Sequence, residues 1–309
     1  MRWQDKRYHS LNYELRSVFN EKIGKVSLDG GFTCPNRDGT LSYGGCIFCS
    51  ESGSGEFAGS RNVSIKKQVE DQKTLLGHKW KVNKYIAYFQ NYTNTYDRVE
   101  NLREKYYDAL SCDGIVGLAI GTRPDCIDDG ILDLLEEINE KTYLWVELGL
   151  QTIHDNTAHF INRGYELDIF NKTLKKLKDR NIRVVVHVIL GLPGESKEKM
   201  METCTYLSDK GIDGIKIHLL HILKGTKLYE YVLENPYESF EKKEYIEFVV
   251  DILERISPNI VVHRMTGDGK KELLYEPWWS LDKRALLNGI DRELRERDTY
   301  QGAKNKDEA

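Results

Sequence analysis

Three thiols crowd one short stretch, Cys34-Pro-Asn-Arg-Asp-Gly-Thr-Leu-Ser-Tyr-Gly-Gly-Cys46-Ile-Phe-Cys49. Thiolates this close along a chain can converge on one metal centre, and Gly39, Gly44 and Gly45 let the backbone fold around it. A closed structural zinc site wants four ligands in paired spacing, and no second Cys/His pair lies within easy reach in sequence. An iron–sulfur cluster held by three cysteines leaves one iron open for chemistry. Spacing favours the cluster and leaves zinc as the alternative. Of the other three cysteines, Cys112 and Cys204 fall in helical patterns and read as small buried hydrophobes. Cys126, in the loop GTRPDC, reads as a candidate for the pocket.

Six cysteines could form disulfides only in an oxidising compartment. The opening MRWQDKRYHSLNYELR is charged and aromatic, with no signal-peptide core, and no apolar run approaches the roughly 20 residues of a membrane span. A cytoplasmic protein with reduced thiols and no membrane partner is expected. With 45 basic against 49 acidic residues and a formal net charge of −4, the chain as a whole advertises no polyanion-binding surface. The lysines between Lys172 and Lys178 sit beside acids and read as a solvated helix face.

The elements that must position the thiols are legible as alternating periods. Short apolar runs at Lys25–Leu28, Tyr85–Phe89, Ile115–Ile120, Tyr143–Leu148, Ile182–Leu190 and Gly214–Leu219 predict six strands. Helical periods fall near Ile65–Leu76, Val99–Leu110, Ile131–Asn139, Ile169–Lys178 and Lys197–Lys210. Such alternation predicts an α/β fold of βαβ units, a partial (β/α)6 TIM-like barrel with N- and C-terminal extensions. One domain over 1–309 is expected, with its core at about 22–222 and a C-terminal extension at about 223–309. Chemistry in parallel barrels gathers at the C-terminal strand ends. There the sequence places FTCPNRDGT, FQNYTNTY, GTRPDC, GLQT, GLPGES and LLHILKGT.

The three-cysteine loop, with Phe48 just before its last thiol, resembles the radical S-adenosylmethionine (SAM) superfamily, although the usual first spacing of three residues is here eleven. That spacing, with FQNYTNTY, GTRPDC, GLPGE and the C-terminal HRMTGD and RDTYQG, resembles the YhcC/YtqA-like family. The resemblance implies that Cys34, Cys46 and Cys49 bind a [4Fe–4S] cluster whose fourth iron chelates SAM. An external donor such as flavodoxin or ferredoxin would supply the electron. By the order of the strands, Gln151 and Arg163 are expected to hold SAM, and the turn at Gly191, Leu192, Pro193 and Gly194 to let backbone approach the adenine. His187 stands where some relatives place an acidic ribose contact. Gln90 or Asn94 is expected to hydrogen-bond the amino group of SAM.

Toward the substrate the sequence offers Arg37, Asp38, Glu147, His218 and His221. Glu147 and Gln90 are the candidates for direct work on it. Glu147 could face inward or outward, since a strand alternates. His218 and His221 are assigned no metal. Trp278 and Trp279 read either as a packing anchor or as a stacking wall. The resemblance also implies C–N bond cleavage beside an aminomethyl group on a modified nucleobase, foremost lysis of the free base queuine to its 7-aminomethyl-7-deazaguanine form. The alternatives are a tRNA wobble-uridine side chain as substrate or, outside enzymology, a redox sensor.

Overall fold

A computed structural model describes residues 3–51, 53, 58–78, 80–267 and 269–305. Asp268, which closes the HRMTGD motif, lies outside the described residues. After helix α1 (Leu11–Phe19), strands and helices alternate: β1 (Ile23–Leu28), α2 (Ile65–Gly77), β2 (Lys84–Phe89), α3 (Val99–Leu110), β3 (Ile115–Thr122), α4 (Asp129–Lys141) and β4 (Tyr143–Gln151). There follow α5 (Asp155–Phe160), α6 (Leu167–Asp179), β5 (Arg183–Leu190), α7 (Lys197–Asp209) and β6 (Gly214–Leu219). The C-terminal region adds β7 (Ile222–Leu223), α8 (Lys227–Glu234), α9 (Lys242–Arg255), β8 (Val261–Arg264), β9 (Leu274–Glu276) and α10 (Lys283–Glu296).

Each predicted strand and helix is present, with ends moved by a few residues. Side-chain oxygens set several helix starts: Ser64 accepts from Lys67 N, Asp128 from Ile131 N and Ser196 from Lys199 N. Seven of the strands form one parallel sheet in the order β1-β2-β3-β4-β5-β6-β8, curled as a half-barrel, and β7 pairs antiparallel with β9. The seventh strand was not expected. Four residues, Val-Val-His-Arg, are too short to carry a period, and β8 gains its place only by pairing with β6.

Alternation along the strands divides the interior. Leu144, Val146, Leu148 and Leu150 on β4, and Ile215, Ile217 and Leu219 on β6, point outward into the main apolar core under the helices. Inward, the lower barrel is closed by Ile86, Tyr88, Ala119, Trp145 and Val185, against which Leu15 of α1 packs as a plug. Above that plug the inward positions turn polar, with Glu147 on β4, His187 on β5, and Lys216 and His218 on β6.

Candidate active site

A cavity of about 250 Å³ opens at the C-terminal ends of the strands. Its walls include Cys34, Cys46 and Cys49, together with Arg37, Phe48, Gln90, Arg123, Gln151, His187, Lys216 and His218. All three predicted cluster thiols therefore face one space. Among the described residues no three His, Cys, Asp or Glu side chains are drawn up as a ready metal cage. The Cys46 thiol is pushed well up by its hydrogen bond with Cys49, by burial and by the charge of Cys49, while Arg123 opposes the shift. Gly45 carries a φ of +80°, and a Cβ there would stand 2.9 Å from Arg37 Nε, so the loop closes over Arg37 only with glycine at this position. Arg37 in turn donates to the Ser50 carbonyl at 2.5 Å.

The floor of the cavity is a strand-borne polar cluster. Glu147 points inward and is fully buried. Its Oε2 accepts from Tyr88 at 2.6 Å and pairs with His187 at 2.8 Å, and its Oε1 accepts from the Trp145 indole at 2.8 Å. Lys216, also buried, forms an ion pair with Glu147 and donates to Tyr88 at 3.0 Å. Burial would raise the Glu147 carboxyl, but the Lys216 charge, His187 and Lys25 together hold it well below the usual carboxylate range. Burial, then the Lys216 charge, pulls His187 down to about 4. Burial likewise pulls Lys25 down to about 8. His187 and His218 lie with ring centroids 5.1 Å apart, and His218 Nε2 is buried without a partner.

Other expected residues divide. Gln151 lines the cavity with a left-handed φ of 65° at a bulge in the β4–β5 register. With its amide turned to donate, it reaches the Gly149 and Leu150 carbonyls at 3.1 and 2.9 Å. Arg163 also lines the cavity, yet its guanidinium donates to the carbonyls of Leu150 (3.0 Å), Thr152 (2.6 Å) and Tyr165 (2.9 Å) and to the Asp155 carboxylate (3.2 Å). A lone surface arginine is excluded, because Arg163 is 1% exposed.

Gly191 and Leu192 are not on the cavity wall. Tyr237 Oη donates to the Gly191 carbonyl, the Gly191 N–H reaches Met200 Sδ, and Leu192 is buried in a satellite apolar cluster. Asn94 is buried with its amide on the Gly121 carbonyl, whereas Gln90 lines the cavity. Asp38 caps its own turn at Thr40 N. His221 lines the cavity. Burial pushes both Cys126 and Cys204 up to about 12. Trp279 donates to the Phe240 carbonyl at 2.9 Å and tilts against Tyr245, a packing role away from the cavity.

Tyr88, Arg123, Tyr165, Lys216 and Arg264 line the cavity without having been singled out. For Lys216 a signal existed: a lysine alternating with Ile215, Ile217 and Leu219 on a buried strand must point into the barrel.

Residues 34–207 match the profile of the Radical SAM superfamily, more than half of the chain. The chain belongs to the radical SAM superfamily. Residues 212–296 of this radical SAM chain match the Radical_SAM C-terminal domain. It is 50% identical over 298 residues to the uncharacterized protein YtqA of Bacillus subtilis, covering 96% of this chain and 92% of that one. It is 37% identical over 284 residues to protein YhcC of Escherichia coli K12, covering 92% and 91%. These likenesses set it in the YhcC/YtqA-like family. Among solved structures it resembles the archaeal Methanocaldococcus infernus Elp3, with a TM-score of 0.68 at 18% identity over 90% of this chain and 64% of that one, a likeness of fold. The cofactors that membership brings are a [4Fe–4S] cluster and SAM. Among the described residues no helix is long and apolar enough to cross a membrane.

Proposed function

We propose that Cys34, Cys46 and Cys49 hold the cluster, and that this radical SAM enzyme severs a C–N bond beside an aminomethyl group on a modified nucleobase. The observation that carries the proposal is the shared cavity, with three thiols on one wall facing the polar strand ends. The donor set fits a cluster: the Cys46 thiol, pushed up by Cys49, by burial and by Cys34, ionises beside its neighbours where a bound cation reverses that penalty. When bound, the cluster and SAM supply the radical that abstracts hydrogen. The chain's own residues bind, orient and exclude water. Gln151 and neighbouring strand-end backbone orient SAM, while Ile189 and Leu220 keep water from the reacting carbon. With both Glu147 oxygens engaged, that carboxylate acts by fixing Lys216 and His187 rather than by touching substrate. Gln90, His187 and His218 then present polar atoms to the base. Flavodoxin or ferredoxin serves as electron donor.

The favoured substrate is free queuine, released as its 7-aminomethyl-7-deazaguanine base. One observation supports the second reading, a wobble uridine within tRNA: among the described residues the cavity wall carries Arg37, Arg123, Arg163, Lys216 and Arg264 against the carboxylate of Glu147. Anaerobic incubation with SAM, dithionite and either substrate, followed by mass spectrometry, tests the two. Turnover of queuine with binding insensitive to salt supports the first. Turnover of tRNA alone, with affinity falling steeply between about 50 and 200 mM salt, replaces it with the second. Formation of 5′-deoxyadenosine without C–N cleavage of either would sink both.

A further inference from the structure

The loop that carries the thiols is fastened at one point by a pair of asparagines. Asn36 is fully buried, and its Nδ2 donates to the carbonyls of Asn162 at 2.6 Å and Arg163 at 3.0 Å. The same Nδ2 lies 3.9 Å from Cys46 Sγ. Asn162 answers from the other side, its Nδ2 donating to the Gly45 carbonyl at 2.9 Å and to Ser42 Oγ at 3.1 Å. Backbone bonds flank the pair, with Gly45 N on the Asn36 carbonyl at 2.8 Å and Ile47 N on the Ile161 carbonyl at 3.1 Å. The approach is close: Gly164 has a φ of +81°, and a Cβ there would lie 2.5 Å from Asn36 Oδ1.

What Asn36 grips is itself a hub. The Arg163 carbonyl also accepts from Arg123 Nη1 at 2.8 Å, and the Arg163 guanidinium holds the carbonyls of Leu150 and Thr152, which bracket Gln151. A path of direct contacts thus runs from Cys46 through Asn36 and Arg163 to the strained end of β4. Asn36 Oδ1 is buried with no partner, so the residue is not there to satisfy its own oxygen; its amide donors are what the site uses.

We infer that Asn36 is a positioning residue that latches the cysteine loop to the turn at 162–165 and so fixes the three thiols relative to the Gln151 bulge. It rests on the assignment of the cluster to those thiols. The latch holds the cluster and the far wall at the separation that SAM must span.

The test uses Asn36→Ala and Asn162→Ala, which remove opposite halves of the latch, in the full chain after anaerobic reconstitution. Both variants keep their iron and sulfide, and both bind SAM about tenfold more weakly, the effect of losing one or two buried hydrogen bonds. In the apo-protein, amide hydrogen exchange at Gly45 and Ile47 quickens in both. That last readout needs no cluster, so an error in the ligand assignment leaves it intact and is distinguished from failure of the latch. Unchanged SAM affinity and exchange in both variants overturns the inference. So does a loss of cluster that merely tracks a lower Tm, which would make the asparagines folding residues of the loop.

Discussion

The cysteine loop and the barrel floor meet in one cavity but are held there by different means. The loop's donors are neighbours in sequence, and their placement depends on backbone turns and on amide bonds to the segment at 161–163. The floor's groups come from β2, β4, β5 and β6 and are placed by sheet register, in which His187 pairs with Lys216 and Lys216 with Arg264. The loop is held by its turns and by the Asn36–Asn162 latch, whereas each inward side chain of the floor is fixed by its strand. The two walls thus differ in how they are placed, one by local turns and side-chain bonds, the other by sheet register.

If the floor is rigid and self-compensating, breaking it should cost more than breaking any contact of the loop. Lys216→Met leaves Glu147 buried without its ion-pair partner and should lower stability by about 3–5 kcal/mol in denaturant unfolding. The double variant Glu147→Leu/Lys216→Met should recover most of that loss. A single variant as stable as wild type would mean that the pair is not a unit.

A pH titration sharpens the same point. His187 has a folded pKa of about 4, below its ordinary 6.5, so between these values the unfolded chain binds a proton that the folded chain refuses. Stability should therefore fall as pH drops through that window, by on the order of 3 kcal/mol at pH 4. His187→Gln should make the dependence shallower, measured as unfolding midpoints at pH 7 and pH 4.5, with the remaining slope carried by His218, His221 and His263, which burial also pulls down; a curve as steep as that of the wild type would remove His187 from the titrating groups. The smallest expected effect is at the seam between the walls, where Arg163→Ala frees buried carbonyls at Leu150 and Thr152 and should cost about 1–3 kcal/mol.

The same contrast explains what could be read from the chain. That Cys34, Cys46 and Cys49 share one wall was legible because they lie on one contiguous loop, and the six strands because each carries its own apolar period. Glu147 was visible but its direction was not, since alternation gives two faces and only the curled sheet decides which is inside. Tyr88 and Arg264 join the site through register between strands far apart in sequence, which no local pattern records, while Lys216 carried a signal only in its alternation with the apolar residues of β6. Gly191 and Leu192 followed from an analogy of order along the chain; in the fold Tyr237 bonds the Gly191 carbonyl, the Gly191 N–H reaches Met200, and Leu192 joins the satellite apolar cluster. Arg163 was rightly singled out for position, but its donors are taken up by carbonyls that only the folded β4 end brings together.

The account turns on the cysteine wall, and one measurement reaches it directly: iron, sulfide and visible absorbance of anaerobically reconstituted protein, compared across single alanine variants of all six cysteines. Cys34→Ala, Cys46→Ala and Cys49→Ala should each lose the absorbance of a [4Fe–4S] cluster, while Cys112→Ala, Cys126→Ala and Cys204→Ala keep it. A cluster that survives loss of Cys34, Cys46 or Cys49, or that vanishes with Cys126, would contradict the assignment.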